Sequence, residues 1–541
     1  MTSDDEVDIC VVGSGASGSV IAAELARIGY SVVILESGQA LHREAIPTAK
    51  PDWEHRTSDF YRSGQTDPSF GQKDPVVYGP TGDRRFRVSR FRGVGGSTMH
   101  YEGFYTRIHP GDIHRRRDTG MGADWPIKYA ELTPHYDRVE KMLGVSGALD
   151  NRFEPERPAY PNPAIAMSCA VKQVKVGCDR LGLNAAHAPL AIISRPAPGR
   201  GSCNFCGACW FGCMQGAISN ASQTYIPVAV RHGARLVTGA TVSRVTVDRR
   251  GRRADGVEYL DDNGALHKVR ARRVVLCGNG IETPRLLLMS SRTDFPDGLA
   301  NESGLVGRYF TAHCHVSLAG SFDHRINAYK GPNINGMVQD FWDHRDDRDF
   351  AGGYVIALRN AELGPYYHYH RHVRKRGLFG EHLVSRMQNS FGHGVNISAY
   401  GEHFSSADDR VDLDPVRTDS KGLPVPRVTI RQGDNEIAMQ QHMRQKLDDI
   451  LQASGAHDIR IITASGNLGT HLLGTCRMGS DPKTSVTDAS GKTHQIEGLY
   501  IADGSLFPTT TPANPTLTIQ ALATRIAHLI ARGDGRSLAT I

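Results

Sequence analysis

The sequence predicts an α/β protein: a Rossmann-like nucleotide-binding domain joined to an α+β domain built on a mixed sheet. Three observations carry that reading. A glycine fingerprint sits between two short apolar strands near the start of the chain. The run from Glu436 to about Ser454 has helical spacing. From Gly307 to about Ile462, strand-like runs alternate with polar loops.

The first element is Val7–Val12, an apolar strand. Gly13-Ser-Gly15-Ala16-Ser17-Gly18 follows, then a helical run over Ser19–Gly29 and a strand over Ser31–Leu35 that ends at Glu36. Each part has a physical task. Gly13 allows the tight turn, Gly15 lets a pyrophosphate approach the backbone, and Gly18 lets the helix pack on the sheet. The helix N-terminus offers free N–H groups and a positive dipole end to phosphates, and Ala16 and Ser17 in the turn before it are cofactor-binding candidates. Glu36 can accept hydrogen bonds from a ribose. Strand, glycine turn, helix, strand and acid together predict a bound dinucleotide.

In the middle of the chain the spacing predicts strands over Val316–Ser321, Gly353–Arg359, Val395–Tyr400 and Val425–Ile430, and a helix from Glu436 to about Ser454. Pro424 and Pro426 predict an edge position or a loop entry for the last of those strands. Tyr366-Tyr-His368-Tyr-His370-Arg-His372, if extended, puts three histidines on one face. A solvated segment, an aromatic and basic rim to a substrate mouth, or a metal site all stay open there. Asp340–Asp349 reads as an exposed loop and Ala531–Ile541 as a mobile tail.

Composition sets bounds. With 541 residues the chain can hold two closely joined domains and a large core. The net charge of +6 lacks the concentrated basic face that nucleic acid calls for, so no nucleic-acid partner is expected. No apolar run is long enough for a membrane helix, so no direct membrane insertion is expected. The start, Met-Thr-Ser-Asp-Asp-Glu, has no basic or apolar leader, which makes the cytoplasm the default compartment. Export to the periplasm with a signal-bearing partner is the alternative.

Four of the ten cysteines are clustered as Cys203-x2-Cys206-x2-Cys209-x3-Cys213. That spacing matches the bacterial ferredoxin run, with Met214 in place of the usual proline, and suits an iron–sulfur cluster. Zinc, disulfides or plain packing remain open at this point.

Several segments then carry a family resemblance. They are Arg92-Gly-Val-Gly95-Gly96-Ser97-Thr-Met-His100, Thr241-Val242, Gly278 within Arg273–Leu288, His471-Leu-Leu-Gly-Thr-Cys, Ala502-Asp503-Gly504, and Asn514-Pro515-Thr516-Leu-Thr. With the N-terminal fingerprint, the chain from Asp8 to about His528 resembles the glucose-methanol-choline (GMC) oxidoreductases, flavoenzymes that oxidise alcohols. The resemblance implies FAD, held by both glycine loops, by Val242 at the adenine, by Gly278, by Asp503–Gly504 and by Pro515–Thr516. It implies that His471 is the base that takes the hydroxyl proton, and that Asn514 is its hydrogen-bonding partner. In some relatives a histidine matching His100 is tethered to the flavin; a polar residue packed beside the ring is the other reading.

The resemblance also implies a division of the chain. Residues 1–60, 86–108, 215–310 and 462–541 would bind FAD, and residues 61–85, 109–214 and 311–461 would form the substrate domain with the cysteine run. That run is similar to the one in catalytic subunits of sugar and aldonate dehydrogenases of the family. There it implies a 3Fe-4S cluster, with 4Fe-4S as the other form, passing electrons to a cytochrome or quinone, with a small partner subunit. The expected activity is therefore an alcohol or sugar dehydrogenase. An oxidase making peroxide is the runner-up, and a hydroxynitrile lyase or a flavin-bearing electron-transfer module ranks lower.

Overall fold

The computed structural model describes residues 6–41, 46, 76–83, 86–360, 364–369 and 373–537, except the side chains of 375 and 463–467. Two sheets organise the molecule. The first has seven strands. At its centre Val7–Val12 lies parallel to both Val32–Leu35 and the second half of Leu266–Leu276. Arg235–Val237 adds to the outer side of Val32–Leu35, and Leu499–Ile501 runs parallel to Val274–Leu276. The first half of Leu266–Leu276 instead pairs antiparallel with Ala254–Leu260, which pairs with Thr241–Val247. Val32–Leu35 is buried at every position, as a parallel strand covered on both faces should be.

The helix after the fingerprint spans Ala16–Ala26 and is buried from Ser17 to Ala26. Its small residues, Gly18, Ala22, Ala23 and Ala26, allow close approach on all sides. It packs against the sheet, against Tyr225–Arg231 and against the C-terminal helix Thr516–Gly533. The expected tail therefore begins later than Ala531: the helix continues to Gly533, and Asp534 accepts hydrogen bonds from Tyr30 (2.7 Å) and Arg273 (2.5 Å). Residues 538–541 lie outside the described ones.

The second sheet has six strands in the order His457–Asn467, Cys314–Ser321, Gly394–Gly401, Tyr354–Asn360, Ile334–Val338 and Ala185–His187. Its pairings are antiparallel, so the mixed pairing of the molecule lies in the nucleotide sheet and in a small third sheet. One face carries Cys314, Val316, Leu318, Ile356, Leu358, Ile397 and Ala399. Two helices, Cys169–Arg180 and Asp434–Ala453, contribute Val171, Val174, Met443, Leu447 and Ile450 to the same core. The opposite face looks toward the nucleotide domain.

Three local expectations are corrected. The strand Pro424–Thr429 is the middle one of three, between Arg410–Thr418 and Val77–Tyr78, so the edge reading falls while the loop entry at Pro424, its first residue, stands. Its prolines are tolerated because Val77–Tyr78 pairs only with Arg427 and Val428, beyond both rings. Around Asp340–Asp349 the loop is anchored rather than fully exposed: Trp342 is buried and its indole N–H donates to Asp112. Pro365–His368 is a helical turn, not an extended run, and His370 and His372 lie outside the described residues. No described helix is long and apolar enough to cross a membrane.

Candidate active site

A cleft of about 3050 Å³ separates the two sheets. One small-molecule pocket occupies roughly 300–1,000 Å³, so this cleft has room for a dinucleotide and a substrate together. Gly13, Gly15, Ala16, Ser17, Glu36, Gly96, Ser97, His100, Val242, Gly278, Asp503, Gly504, Asn514, Pro515, Thr516 and His471 all line it. Of the residues expected from sequence, Gly18 and Gly95 stand behind the wall. A Cβ on Gly18 would fall 1.9 Å from the Gly13 carbonyl oxygen, so its task is packing, as expected. Gly95 donates its N–H to Ser14 Oγ (3.2 Å) and has φ near +96°.

The nucleotide end of the cleft is built from backbone. Gly13 has φ near +98°, and a Cβ there would meet the Cys277 carbonyl at 2.7 Å. Ser19 is the first residue of the helix to donate back into it, to the Gly15 carbonyl (3.1 Å), so the first-turn N–H groups before it have no intrahelical acceptor. The second glycine loop meets the first: a Cβ on Gly96 would sit 2.9 Å from Gly15 Cα. Glu36 is buried and accepts from Ser14 N–H (3.0 Å), Ser14 Oγ–H (2.7 Å) and Gly38 N–H (2.9 Å). Burial raises its pKa, and those donors oppose the shift.

Asp503 ties the C-terminal segment to the helix Asn279–Met289. One carboxylate oxygen accepts from Asn279 N–H (2.9 Å) and Thr283 Oγ–H (2.5 Å), and the other accepts from Ser505 N–H (2.9 Å). Sequence reasoning missed Asn279 and Thr283. Asn279 has φ near +90°, unusual for a residue other than glycine, which the expected strand–glycine–helix pattern did not reveal.

At the far end, Thr311 and Leu473 exchange backbone hydrogen bonds of 3.0 Å each way. That antiparallel bridge places His313 beside His471, and their Nδ1 atoms are 2.8 Å apart. His313 Nε2 is 2.6 Å from the Thr511 carbonyl oxygen, which can only accept. His313 therefore carries its proton on Nε2 and offers Nδ1 as acceptor. His471 must donate from Nδ1, which leaves its Nε2 with a lone pair. Burial drives the His471 pKa well below 6.5, with His313 and His315 adding to the shift, so the ring is neutral. His313 is lowered to about 4 for the same leading reason. Asn514 lies just before the C-terminal helix, and its Oδ1 is buried without a hydrogen-bond partner. Sequence reasoning missed His313. The clue was the polar alternation Thr311, His313, His315, Ser317 leading into the strand.

His100 has Nδ1 3.0 Å from the Trp210 carbonyl, and its ring lies 4.7 Å from Phe91, edge to face. Burial lowers its pKa to about 4. Trp210 belongs to the cysteine run, so that loop abuts the second glycine loop. The metal expectations for Cys203, Cys206, Cys209 and Cys213 are not supported. Among the described residues no three His, Cys, Asp or Glu side chains converge as a metal ion requires. Cys209 is buried while Cys206 is exposed. All ten cysteines are free, so the disulfide alternative is also corrected.

Comparison with known proteins agrees with this architecture. Models of the GMC oxidoreductase N-terminal and C-terminal regions match residues 7–315 and 406–523. The 2-methyl-1,2-propanediol dehydrogenase of Mycolicibacterium austroafricanum is 32% identical, over 98% of this chain and 96% of that one. The fructose dehydrogenase large subunit of Gluconobacter japonicus is 29% identical, over 97% of each. Among solved structures, a mutant formate oxidase of Aspergillus oryzae studied for FAD modification superposes with a TM-score of 0.71. It shares 16% identity and covers 99% of this chain and 100% of its own, a likeness of fold.

Proposed function

This chain belongs to the GMC oxidoreductases, and from that premise we propose that it is an FAD-dependent dehydrogenase oxidising the CH–OH group of an alcohol or sugar to a carbonyl. The observation that carries the proposal is the ordered pair His313–His471, which presents one imidazole lone pair to a cleft shaped for a dinucleotide. FAD fits the residues present. Gly13, Gly15 and Gly96 leave backbone where side chains would intrude, the helix starting at Ala16 offers N–H donors to the phosphates, and the long contact from Ser37 Oγ–H to Glu36 Oε1 (3.4 Å) is one that a ribose hydroxyl can replace. Gly278, Asp503 and the start of the helix at Thr516 would line the rest of the cofactor.

When bound, FAD supplies the acceptor for the substrate hydride at N5. The protein's own task is the proton. His471 Nε2 accepts the hydroxyl proton, while its Nδ1–H stays directed at His313. The charge gained is shared along the chain His471, His313, Thr511 carbonyl. Asn514, unable to exchange protons at neutral pH, uses its amide to hold the substrate oxygen beside that lone pair. The Trp210 carbonyl fixes a tautomer of His100 in which Nε2 bears the lone pair, as attachment to a flavin would require.

Relatives aligned over nearly the whole chain are named both as dehydrogenases and as oxidases, and the dehydrogenase reading follows the one that is 32% identical. The electron acceptor would be a cytochrome or quinone, through a partner subunit. The test is anaerobic. A panel of alcohols and sugars should bleach the flavin of the purified holoprotein, and readmitted air should yield little peroxide. Stoichiometric peroxide would make it an oxidase, and no bleaching by any of them would end the proposal. Flavin that stays with acid-precipitated protein would establish a covalent tether, and its release in His100→Ala would place it at His100.

A further inference from the structure

The face of the six-stranded sheet that looks into the cleft is polar. Along Cys314–Ser321 the alternation sends Cys314, Val316 and Leu318 into the core beneath the helices, and His315 and Ser317 into the cleft. The neighbouring strands add Asn396, Ser398, Tyr400 and Arg359 to the same floor. Most of these groups satisfy one another. Ser317 Oγ–H donates to Asn396 Oδ1 (2.7 Å), Ser398 Oγ–H donates to Ser317 Oγ (3.0 Å), and Arg359 donates to Tyr400 Oη (2.8 Å) and pairs with Glu102.

His315 is the exception. It is 8% exposed, its ring stacks on Tyr400 at 5.1 Å, and its Nε2 is buried with no hydrogen-bond partner. Tyr400 also lies 6.3 Å from the His471 ring, so both imidazoles border one phenol. A buried polar atom left unmet is costly, and such atoms in a binding cleft are met by ligand. Burial, with Arg359 and His313 adding to it, lowers His315 to about 3 and keeps the ring neutral. A neutral imidazole nitrogen is a donor in one tautomer and an acceptor in the other. A hydroxyl, itself donor and acceptor, suits either.

We propose that His315 is a specificity-determining residue whose Nε2 receives a second hydroxyl of the substrate, so that the site takes diols, polyols or sugars in preference to mono-alcohols. This deepens the dehydrogenase reading and rests on it. The ring sits beside the base, and Ser317, Asn396, Ser398 and Tyr400 make the floor next to it polar.

The experiment uses the holoenzyme with 1,2-propanediol, xylitol and 1-propanol, and reads kcat/KM by flavin reduction and affinity by calorimetry. The wild type should favour 1,2-propanediol or xylitol over 1-propanol by at least roughly 10-fold. His315→Leu should reduce that ratio by about 10- to 100-fold, and His315→Gln, which keeps a polar tip, should recover part of it. Equal use of 1-propanol by the wild type, or an unchanged ratio in His315→Leu, would overturn the inference. If nothing reduces the flavin, the dehydrogenase reading falls. Calorimetry still judges His315: polyol binding lost in His315→Leu supports it, and binding unchanged or absent in the wild type refutes it.

Discussion

At His471 the decisive question is which nitrogen bears the proton, and a carbonyl answers it. Thr511 can only accept from His313, which can then only accept from His471, so the reactive lone pair is assigned by a chain of two hydrogen bonds. His471→Ala is expected to leave flavin bound and to slow anaerobic flavin reduction by roughly two to four orders of magnitude. A rate within a few-fold of wild type would remove His471 from its role. The pH profile gives a second check. Because burial lowers the His471 pKa well below 6.5, the neutral, active form persists as pH falls through 6.5. The acid limb of kcat/KM should therefore lie below that value, and a fall centred at 6.5 would mean an unburied imidazole. His471 and Asn514 could be named as candidates because each adjoins a run of family-like sequence. His313 was not, because what defines its role, the Thr511 carbonyl, lies 198 residues away.

Elements show the same division. The strand, turn and helix at the N-terminus could be read directly, since a tight turn, a close approach and a packed helix each exclude all but small residues at Gly13, Gly15 and Gly18. Gly18→Ala tests this. Its methyl would lie 1.9 Å from the Gly13 oxygen, and neither backbone can yield without parting the helix from the strand. The expected result is loss of bound flavin and destabilisation of a few kcal/mol, measured by absorbance and thermal melting. A yellow protein of unchanged Tm would show that the turn can relax. By contrast, periodicity located three of the six strands of the second sheet, Cys314–Ser321, Tyr354–Asn360 and Gly394–Gly401, without indicating which face meets the cleft. An alternating pattern says that one side is polar, not what that side borders. Regular spacing in the cysteine run measures distance along the chain, whereas ligation needs sulfurs that converge, and among the described residues no three ligating side chains do.

For the whole molecule, the cleft gathers walls from both ends of the chain: the helix Ala16–Ala26 packs on the helix Thr516–Gly533, and each begins at the cleft. The N–H groups that open the helix at Ala16 have no intrahelical acceptor, Asn514 Oδ1 is buried without a partner, and both depend on what fills the space. A ligand that meets them binds the folded chain alone, so it must stabilise the fold by mass action. Stripping the flavin should therefore lower Tm, and adding FAD back at about 100 times its Kd should restore about 2.7 kcal/mol. Melting curves at graded FAD concentrations measure the effect. Because both termini share the site, the gain should appear as one cooperative transition for the two sheets together. A Tm indifferent to FAD, or a rise confined to one of two separate transitions, would show that the cofactor does not join the ends of the chain as this architecture requires.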